Sequence, residues 1–285
     1  MAKKIWLDDK LVNPEDAMVS VFDHGLLYGD GVFEGIRVYD ARIFEFKEHM
    51  DRLYESAKVI RLEIGLSIEE LSDAVTKTVK ANEIIDGYIR LIVTRGVGDL
   101  GLNPFLCKKA GIIIIADSIQ LYPKELYEKG LKVVSSSTMR NHPLALPPQV
   151  KSLNYLNNIL AKIEAIDSGA GETIMYNHMG YVAEASGDNV FIIKDGVIFT
   201  PPVSAGGLDG ITRRAVIKLA RKENFQVVEQ NLTRVDLYTC DEFFLTGTAA
   251  EVISIVEIDG RTIADGKPGK ITELLRKKFF EYARS

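Results

Sequence analysis

Apolar residues recur in this chain with two spacings. Between residues 48 and 62 they fall at Met50, Leu53, Ala57 and Ile60, and between 68 and 82 at Ile68, Leu71, Val75 and Val79. That spacing of three and four puts each set on one face and predicts two amphipathic helices. Strand patterns frame them, from Ile5 to Asp117. Two strands are predicted at Tyr88–Arg95 and at Gly111–Ala116. The second is a continuous apolar run, the signature of a strand buried on both faces.

Residues 118–130 have mixed polar composition around Pro123 and read as a connector. The expected division is a domain at 1–118, a connector at 119–130 and a larger domain at 131–285. The larger part carries strand patterns at Leu131–Ser137, Glu172–Asn177, Asn189–Ile193, Val197–Thr200, Gln226–Glu229, Glu242–Thr246 and Val252–Ile258. Asp195-Gly196 and Asp259-Gly260 are expected hairpin turns, because glycine accepts the positive φ such turns require. Helices are expected after Lys151, Thr212 and Gly269. No internal repeat or low-complexity tract interrupts this order. The predicted class is α+β, with two domains, the second rich in antiparallel strands.

Composition narrows the function. The 285 residues carry a net charge of -5, with 46% hydrophobic and 26% charged residues. Nothing in that balance calls for a nucleic-acid partner. Two cysteines, Cys107 and Cys240, are too few for a disulfide framework, and four scattered histidines do not make a metal site. No apolar run approaches the ~20 residues of a membrane span. The first residues lack the apolar stretch of a secretory signal, so a cytoplasmic protein is expected. Gly96-Val-Gly98-Asp-Leu-Gly101 fits a dinucleotide-binding pattern, but Asn103-Pro104 follows at once and the next strand begins near Ile112. No crossover helix fits in that gap, so the segment reads as a glycine-rich hairpin loop.

The chemistry centres on Lys151. It follows Leu146-Pro-Pro-Gln-Val, which cannot be helical through the prolines, and precedes a helix with an expected apolar face of Leu153, Leu156, Leu160 and Ile163. A lysine at a strand-to-helix junction can point into a cleft, where partial desolvation leaves a reactive amine. Taken alone it reads as a solvated surface group. Tyr155 lies four residues on, one turn along the expected helix. Glu184 ends a short strand before Ala185-Ser-Gly187-Asp-Asn, and a carboxylate there could partner a protonated ring nitrogen. Gly206-Gly-Leu208-Asp-Gly210-Ile211-Thr212 opens a helix, and Thr246-Gly247-Thr248-Ala249-Ala250 follows a strand. Both look like cups for a phosphate, though turns and caps alone also explain them. Arg52 departs from the apolar face of its helix, so it is a surface charge or a phosphate clamp. Tyr88 and Arg90 share one strand face, as a carboxylate reader or as an edge-strand ion pair would.

Together these motifs resemble the fold-type IV (class IV) pyridoxal-phosphate aminotransferases, and among them the branched-chain amino acid aminotransferases. The resemblance runs nearly end to end, through Asp23-His-Gly-Leu-Leu-Tyr-Gly-Asp-Gly-Val-Phe-Glu-Gly35, Tyr88-Ile-Arg, Thr94-Arg-Gly, Lys151-Ser-Leu-Asn-Tyr-Leu, Glu184-Ala-Ser-Gly-Asp-Asn, Phe199-Thr-Pro-Pro, Leu208-Asp-Gly-Ile-Thr-Arg and Leu245-Thr-Gly-Thr-Ala-Ala-Glu. It implies a small α/β N-terminal domain and a strand-rich, pseudo-barrel C-terminal domain. It implies pyridoxal 5′-phosphate held as a Schiff base on Lys151, with Glu184 at the ring nitrogen and Tyr155 at the ring oxygen. By the same resemblance Arg52, Gly210, Ile211, Thr212, Gly247 and Thr248 hold the phosphate, and Gly187 and Leu208 lie against the ring. Tyr88, Thr248 and Ala249 would receive the substrate α-carboxylate, Tyr28 and Phe33 would line an apolar side-chain pocket, and Arg90 would meet a distal carboxylate. The implied reaction moves the amino group of leucine, isoleucine or valine to 2-oxoglutarate, in at least a homodimer. The short Lys151-Ser-Leu-Asn154 also occurs in D-amino acid aminotransferases, and Lys-x-Leu-Asn in aminodeoxychorismate lyases. Leu100 and Leu102 stand where the D-specific enzymes would carry an arginine and a histidine.

Overall fold

The computed structural model describes residues 3–119 and 122–285, so residues 120 and 121 of the predicted connector lie outside the described residues. The chain divides into two units, residues 1–119 with 150–154, and residues 120–149 with 155–285. The second unit is therefore not one unbroken stretch from 131, as the sequence pattern predicts. Residues 150–154 belong with the first unit because the backbone there pairs with a strand of that unit. The Phe33 amide donates to the Lys151 carbonyl at 3.0 Å, the Leu153 amide donates to the Gly31 carbonyl at 3.0 Å, and Val32 and Ser152 form a β-bridge.

In the first unit the elements are β1 (Ile5–Leu7), β2 (Lys10–Val12), α1 (His24–Tyr28), β3 (Gly31–Tyr39), β4 (Arg42–Ile43), α2 (Phe46–Val59), α3 (Ile68–Ala81), β5 (Gly87–Thr94) and β6 (Gly111–Asp117). The strands make one sheet in the order β2-β1-β6-β5-β3-β4, and every pairing is antiparallel. The Gly96 loop thus joins the antiparallel neighbours β5 and β6 and is a hairpin connection. α3 begins where it does because Ser67 and Glu70 form a reciprocal capping box. α2 stops at Val59, short of the predicted 62, as the backbone turns left-handed at Arg61 (φ 54°).

The core of this unit lies between the sheet and its two long helices. Met50, Leu53 and Ala57 of α2 and Leu71, Ala74, Val75 and Val79 of α3 pack with Val32, Ile36, Val38, Ile89, Leu91, Val93, Ile112 and Ile114. Fully burying one such Leu or Ile contributes about 1.5–3 kcal/mol. One expectation fails here. β6 is buried on one face only, with Ile112, Ile114 and Ala116 inside, while Ile115 stays 37% exposed. The antiparallel sheet has helices on one side, so its other face is left for different work.

The second unit comprises α4 (Lys124–Lys129), β7 (Leu131–Ser135), α5 (Leu156–Asp167), β8 (Glu172–Tyr176), β9 (Val182–Ala185), β10 (Asn189–Lys194), β11 (Val197–Thr200), α6 (Ile211–Lys222), β12 (Val227–Glu229), α7 (Arg234–Thr239), β13 (Glu242–Gly247), β14 (Glu251–Ile258), β15 (Arg261–Thr262) and α8 (Lys270–Ala283). The predicted connector therefore contains a short helix, α4, with Pro123 at its N-cap. The strands form a nine-stranded sheet in the order β12-β11-β10-β13-β14-β7-β8-β9, with β15 on β14. The pairs β11–β12, β14–β7 and β7–β8 are parallel and the others antiparallel. The sheet curls until β9 comes back against β10. Inside the curl lie Leu131, Val133, Ile174, Val182, Val190, Phe243, Leu245 and Ile253. Both Asp-Gly turns have the left-handed pair of φ angles that the hairpins need, 49° and 77° at Asp195-Gly196 and 50° and 73° at Asp259-Gly260.

The predicted apolar face of α5 does not turn inward. Leu156, Leu160 and Ile163 are 66%, 46% and 45% exposed, whereas Asn158, Ala161 and Ala165 are buried. Two alanines let the helix approach β8 closely, and the Asn158 side-chain amide donates to the Ser186 carbonyl at 2.8 Å. No helix among the described residues is long and apolar enough to cross a membrane.

Candidate active site

The strand parity of the first unit sorts its polar residues. Ile89, Leu91 and Val93 of β5 face the helices, so Tyr88, Arg90 and Ile92 face the other way. In β3, Val32, Ile36 and Val38 are core residues, which leaves Phe33, Gly35 and Arg37 on the helix-free face. The ladder pairs Phe33 with Ile92, Gly35 with Arg90 and Arg37 with Tyr88. The Arg90 guanidinium carbon lies 4.6 Å from the Phe33 ring centre and 5.5 Å from that of Tyr88. Lys151 completes the group, with Nζ 4.5 Å from the Phe33 ring centre. Gly35 is required in the middle, because a Cβ there would stand 1.9 Å from the Tyr88 hydroxyl. The structure thus brings Lys151, Phe33, Tyr88 and Arg90 together. β5 is an internal strand, and Arg90 has no ion pair among the described residues, so the edge-strand reading of Arg90 is overturned.

Lys151 is not helical. It lies in extended backbone beside β3, its amide donating to the Ser56 hydroxyl at 3.2 Å. Helix α5 begins at Leu156 with Tyr155 as its N-cap residue. Lys151 and Tyr155 therefore do not share a helical face, because the prolines and the pairing with β3 delay the helix.

Arg52 is neither a surface charge nor an isolated clamp. It is 5% exposed, and Glu34, fully buried, accepts from its Nε at 2.7 Å and its Nη2 at 2.8 Å. The buried His49 adds a third contact, Nδ1 to Glu34 Oε2 at 2.8 Å. Burial raises the proton affinity of Glu34, but the charges and hydrogen bonds of Arg52 and His49 more than reverse it, so its carboxyl is held far below the usual range. Burial pushes the His49 pKa down despite Glu34. An ionised carboxylate can only accept, so Nδ1 of His49 is the donor in this contact. Glu34 and His49 escaped the sequence reading, although a glutamate at core parity in Val32-Phe-Glu34-Gly-Ile36 was a usable signal. Among the described residues, Tyr28 is joined directly to the Lys151 group by no hydrogen bond or ring contact. It is 37% exposed on α1, edge-on to His24, and its hydroxyl donates to the Leu100 carbonyl.

In the second unit, Glu184 lies within β9 and is 5% exposed, which overturns its reading as an exposed strand-end residue. One carboxylate oxygen accepts from Arg140 Nε at 2.8 Å and the other from the Leu208 amide at 2.8 Å. Arg140 was not foreseen, because it lies in an aperiodic loop before Pro143. Asn189 links the two small-residue turns. It pairs with Thr246 in the β10–β13 ladder, and its side-chain amide donates to the Leu208 carbonyl at 2.8 Å. Gly210 is the N-cap of α6 and makes no side-chain cap, so Ile211 and Thr212 open that helix without one. Gly247 closes β13, where a Cβ would meet Asp188 Oδ1 at 1.8 Å and lie 3.4 Å from the Gly187 carbonyl. Gly187, Leu208, Gly210, Ile211, Thr212 and Gly247 thus cluster at one end of this sheet, with Thr248 and Ala249 following Gly247. The buried Thr246 hydroxyl has no hydrogen-bond partner among the described residues.

The family model described as amino-transferase class IV matches residues 31–258. The chain is 53% identical to a Methanocaldococcus jannaschii protein over 276 residues, 97% of this chain and 95% of the relative. It is 44% identical to the branched-chain-amino-acid aminotransferase of Pseudomonas aeruginosa over 283 residues, 97% of this chain and 92% of the relative. Among solved structures, a branched-chain amino acid aminotransferase from T.th. with pyridoxamine 5′-phosphate superposes with a TM-score of 0.96 at 39% identity, covering 100% of this chain and 96% of that one. The same T.th. enzyme is known in complexes with N-(5′-phosphopyridoxyl)-L-glutamate and with 4-methylvaleric acid. With a family match across most of its length and relatives this close, the chain belongs to the class IV aminotransferases, a family of pyridoxal-phosphate-dependent enzymes.

Proposed function

We propose that this protein transfers the amino group of leucine, isoleucine or valine to 2-oxoglutarate, with pyridoxal 5′-phosphate bonded to Lys151. The observation that carries the reading is the shared sheet face of Lys151, Phe33, Tyr88 and Arg90. An aromatic wall suits an aliphatic side chain, while an arginine on the same face suits the distal carboxylate of glutamate. One pocket that alternates between such partners needs both kinds of contact. The names of the relatives and the two T.th. complexes, one with a glutamate adduct and one with a branched aliphatic acid, support the same pairing.

The donor set fits the cofactor. Lys151 supplies the amine and Glu184 a fixed carboxylate for the ring nitrogen. Gly210, Ile211, Thr212, Gly247 and Thr248 supply small residues and amides for a phosphate, beside the unpartnered Thr246 hydroxyl. Arg52 is a further phosphate ligand by the family resemblance, with a guanidinium already fixed by Glu34. Gly187 and Leu208 lie against the ring, Tyr155 bonds its oxygen, and Tyr88, Thr248 and Ala249 take the substrate α-carboxylate. Tyr28 and Phe33 line the side-chain pocket. The cofactor, once bound, supplies an electron sink for the substrate Cα, and Lys151 moves the Cα proton. The protein acts as at least a homodimer in the cytoplasm, a compartment that suits its two free thiols.

Borohydride reduction of the holoenzyme followed by peptide mass spectrometry tests the cofactor site, and the expected adduct is on Lys151. An amino-donor panel with 2-oxoglutarate tests the substrate. Activity with L-leucine, L-isoleucine and L-valine is expected. Turnover of D-alanine alone, or release of pyruvate from aminodeoxychorismate, overturns the assignment.

A further inference from the structure

We propose that Arg140 is a positioning residue for the cofactor's ring nitrogen, acting through Glu184. The inference rests on the reading above that Glu184 partners that nitrogen.

Arg140 is 6% exposed and is gripped from several sides. Its Nε donates to Glu184 at 2.8 Å, its Nη1 donates to Asn157 Oδ1 at 3.1 Å, and its own amide donates to the Tyr176 carbonyl at 2.9 Å. Asn157 is held in turn, its side-chain amide donating to the Met139 carbonyl at 2.8 Å. Among the described residues, Arg140 is the only side chain that forms an ion pair with Glu184. The other carboxylate oxygen is held by the Leu208 amide, from the loop that opens α6. With a fixed donor on each oxygen, the carboxylate plane cannot rotate. The guanidinium has a second effect, because its positive charge offsets part of the field that Glu184 exerts on a ring nitrogen. Arg140 therefore sets both the aim of the carboxylate and the strength with which a proton is held on the ring.

The test uses the holoenzyme of wild type, Arg140→Gln, Arg140→Lys and Asn157→Asp. Two quantities are read, the pH midpoint of the cofactor's visible absorption band and the rate of cofactor release. Removing the positive charge in Arg140→Gln should raise the midpoint by about half a pH unit or more, and should speed release roughly tenfold as the carboxylate loosens. Arg140→Lys should restore most of the midpoint and little of the release rate, since an ammonium keeps the charge but lacks the planar fork. Asn157→Asp should also raise the midpoint, because a second carboxylate draws the guanidinium charge away from Glu184. That variant keeps Arg140 and decides the matter if Arg140→Gln does not fold. A midpoint within about 0.2 unit of wild type in either folded variant, well under the shift expected from a lost charge, with Lys151 still labelled by borohydride, overturns the role of Arg140 alone. Absence of the Lys151 label from wild type overturns instead the cofactor reading on which it rests.

Discussion

Each unit of this protein buries an arginine–glutamate pair, and the two pairs are built differently. Glu34 is saturated, with two contacts from Arg52 and one from His49 on a carboxylate that has no exposed surface. All three residues lie on α2 or the facing strand β3, within the sheet–helix layer. Glu184 takes one contact from Arg140 and one from a main-chain amide, and both of its neighbours are loops. The first arrangement locks a helix to a strand. The second fixes a carboxylate of β9 between a loop that carries an arginine and a loop that opens a helix. The residue types are the same, so it is the number and origin of the donors that separate the two pairs.

The largest effect is expected from breaking the lock. Glu34→Ala leaves the Arg52 charge buried without its partner, a change that costs about 3–5 kcal/mol. At ~2–4 °C per kcal/mol for a protein of this size, thermal melting should fall by on the order of 10 °C. Calorimetry of wild type and variant checks this, and a loss below about 2 °C, less than one kcal/mol, would show that Arg52 finds water or another partner. Glu184→Gln, a milder change in the second pair, keeps the shape and leaves the Leu208 amide an acceptor. Stability should drop by about 1.5–3 kcal/mol, while turnover falls roughly 100-fold if Glu184 partners the ring nitrogen as proposed. If stability and activity fall together in both variants, the distinction between the pairs is wrong.

His49→Gln sharpens the contrast from the other side. It weakens the third donor and leaves Glu34 held chiefly by its arginine, closer to the sparser set of donors on Glu184. A hydrogen bond to an ionised carboxylate is worth about 1.5–3 kcal/mol, part of which the glutamine amide recovers. Melting should drop by a few degrees with the substrate KM unchanged. A KM that rises tenfold would instead place His49 in the substrate site.

Much of this was legible in the sequence, because periodicity reports which face of an element is chemically distinct. The α2 and α3 faces, the Asp-Gly turns and the common face of Tyr88 and Arg90 all follow from spacing alone. Spacing does not say which face is buried. On α5 the large aliphatic residues lie outward and the alanines inward, since close approach to β8 favours small side chains. The continuous apolar run of β6 misled for the same reason, as only one side of that sheet carries helices. Arg140 was invisible because loop geometry has no period, and Asn157 because a polar residue in the first turn of a helix looks like any solvated one. Glu34 was visible in principle, as a charge at core parity that required a buried partner.

The second pair has a support that the first lacks, and it yields the smallest effect. Glu164 of α5 gathers the loop that leads to Arg140, accepting from the Ser137 amide at 2.6 Å, the Thr138 amide at 2.9 Å and the Ser136 hydroxyl at 3.0 Å. Burial alone would raise its pKa, but the Thr138 hydroxyl and these amides overcome that and lower it from the ordinary 4.5 to about 2. The folded value lies below the unfolded one, so the carboxylate's contribution is fully present above about pH 4.5 and fades as the pH drops toward 2. Glu164→Gln should cost about 1–2 kcal/mol at pH 7, seen as a melting gap of a few degrees from wild type. That gap should narrow when both proteins are melted at about pH 3, because wild type then begins to lose the charge that the variant never had. A gap of constant size across that range would mean that the loop before Arg140 is held by shape and not by the carboxylate. The two buried pairs would then differ in their donors but not in the charge that supports them from outside.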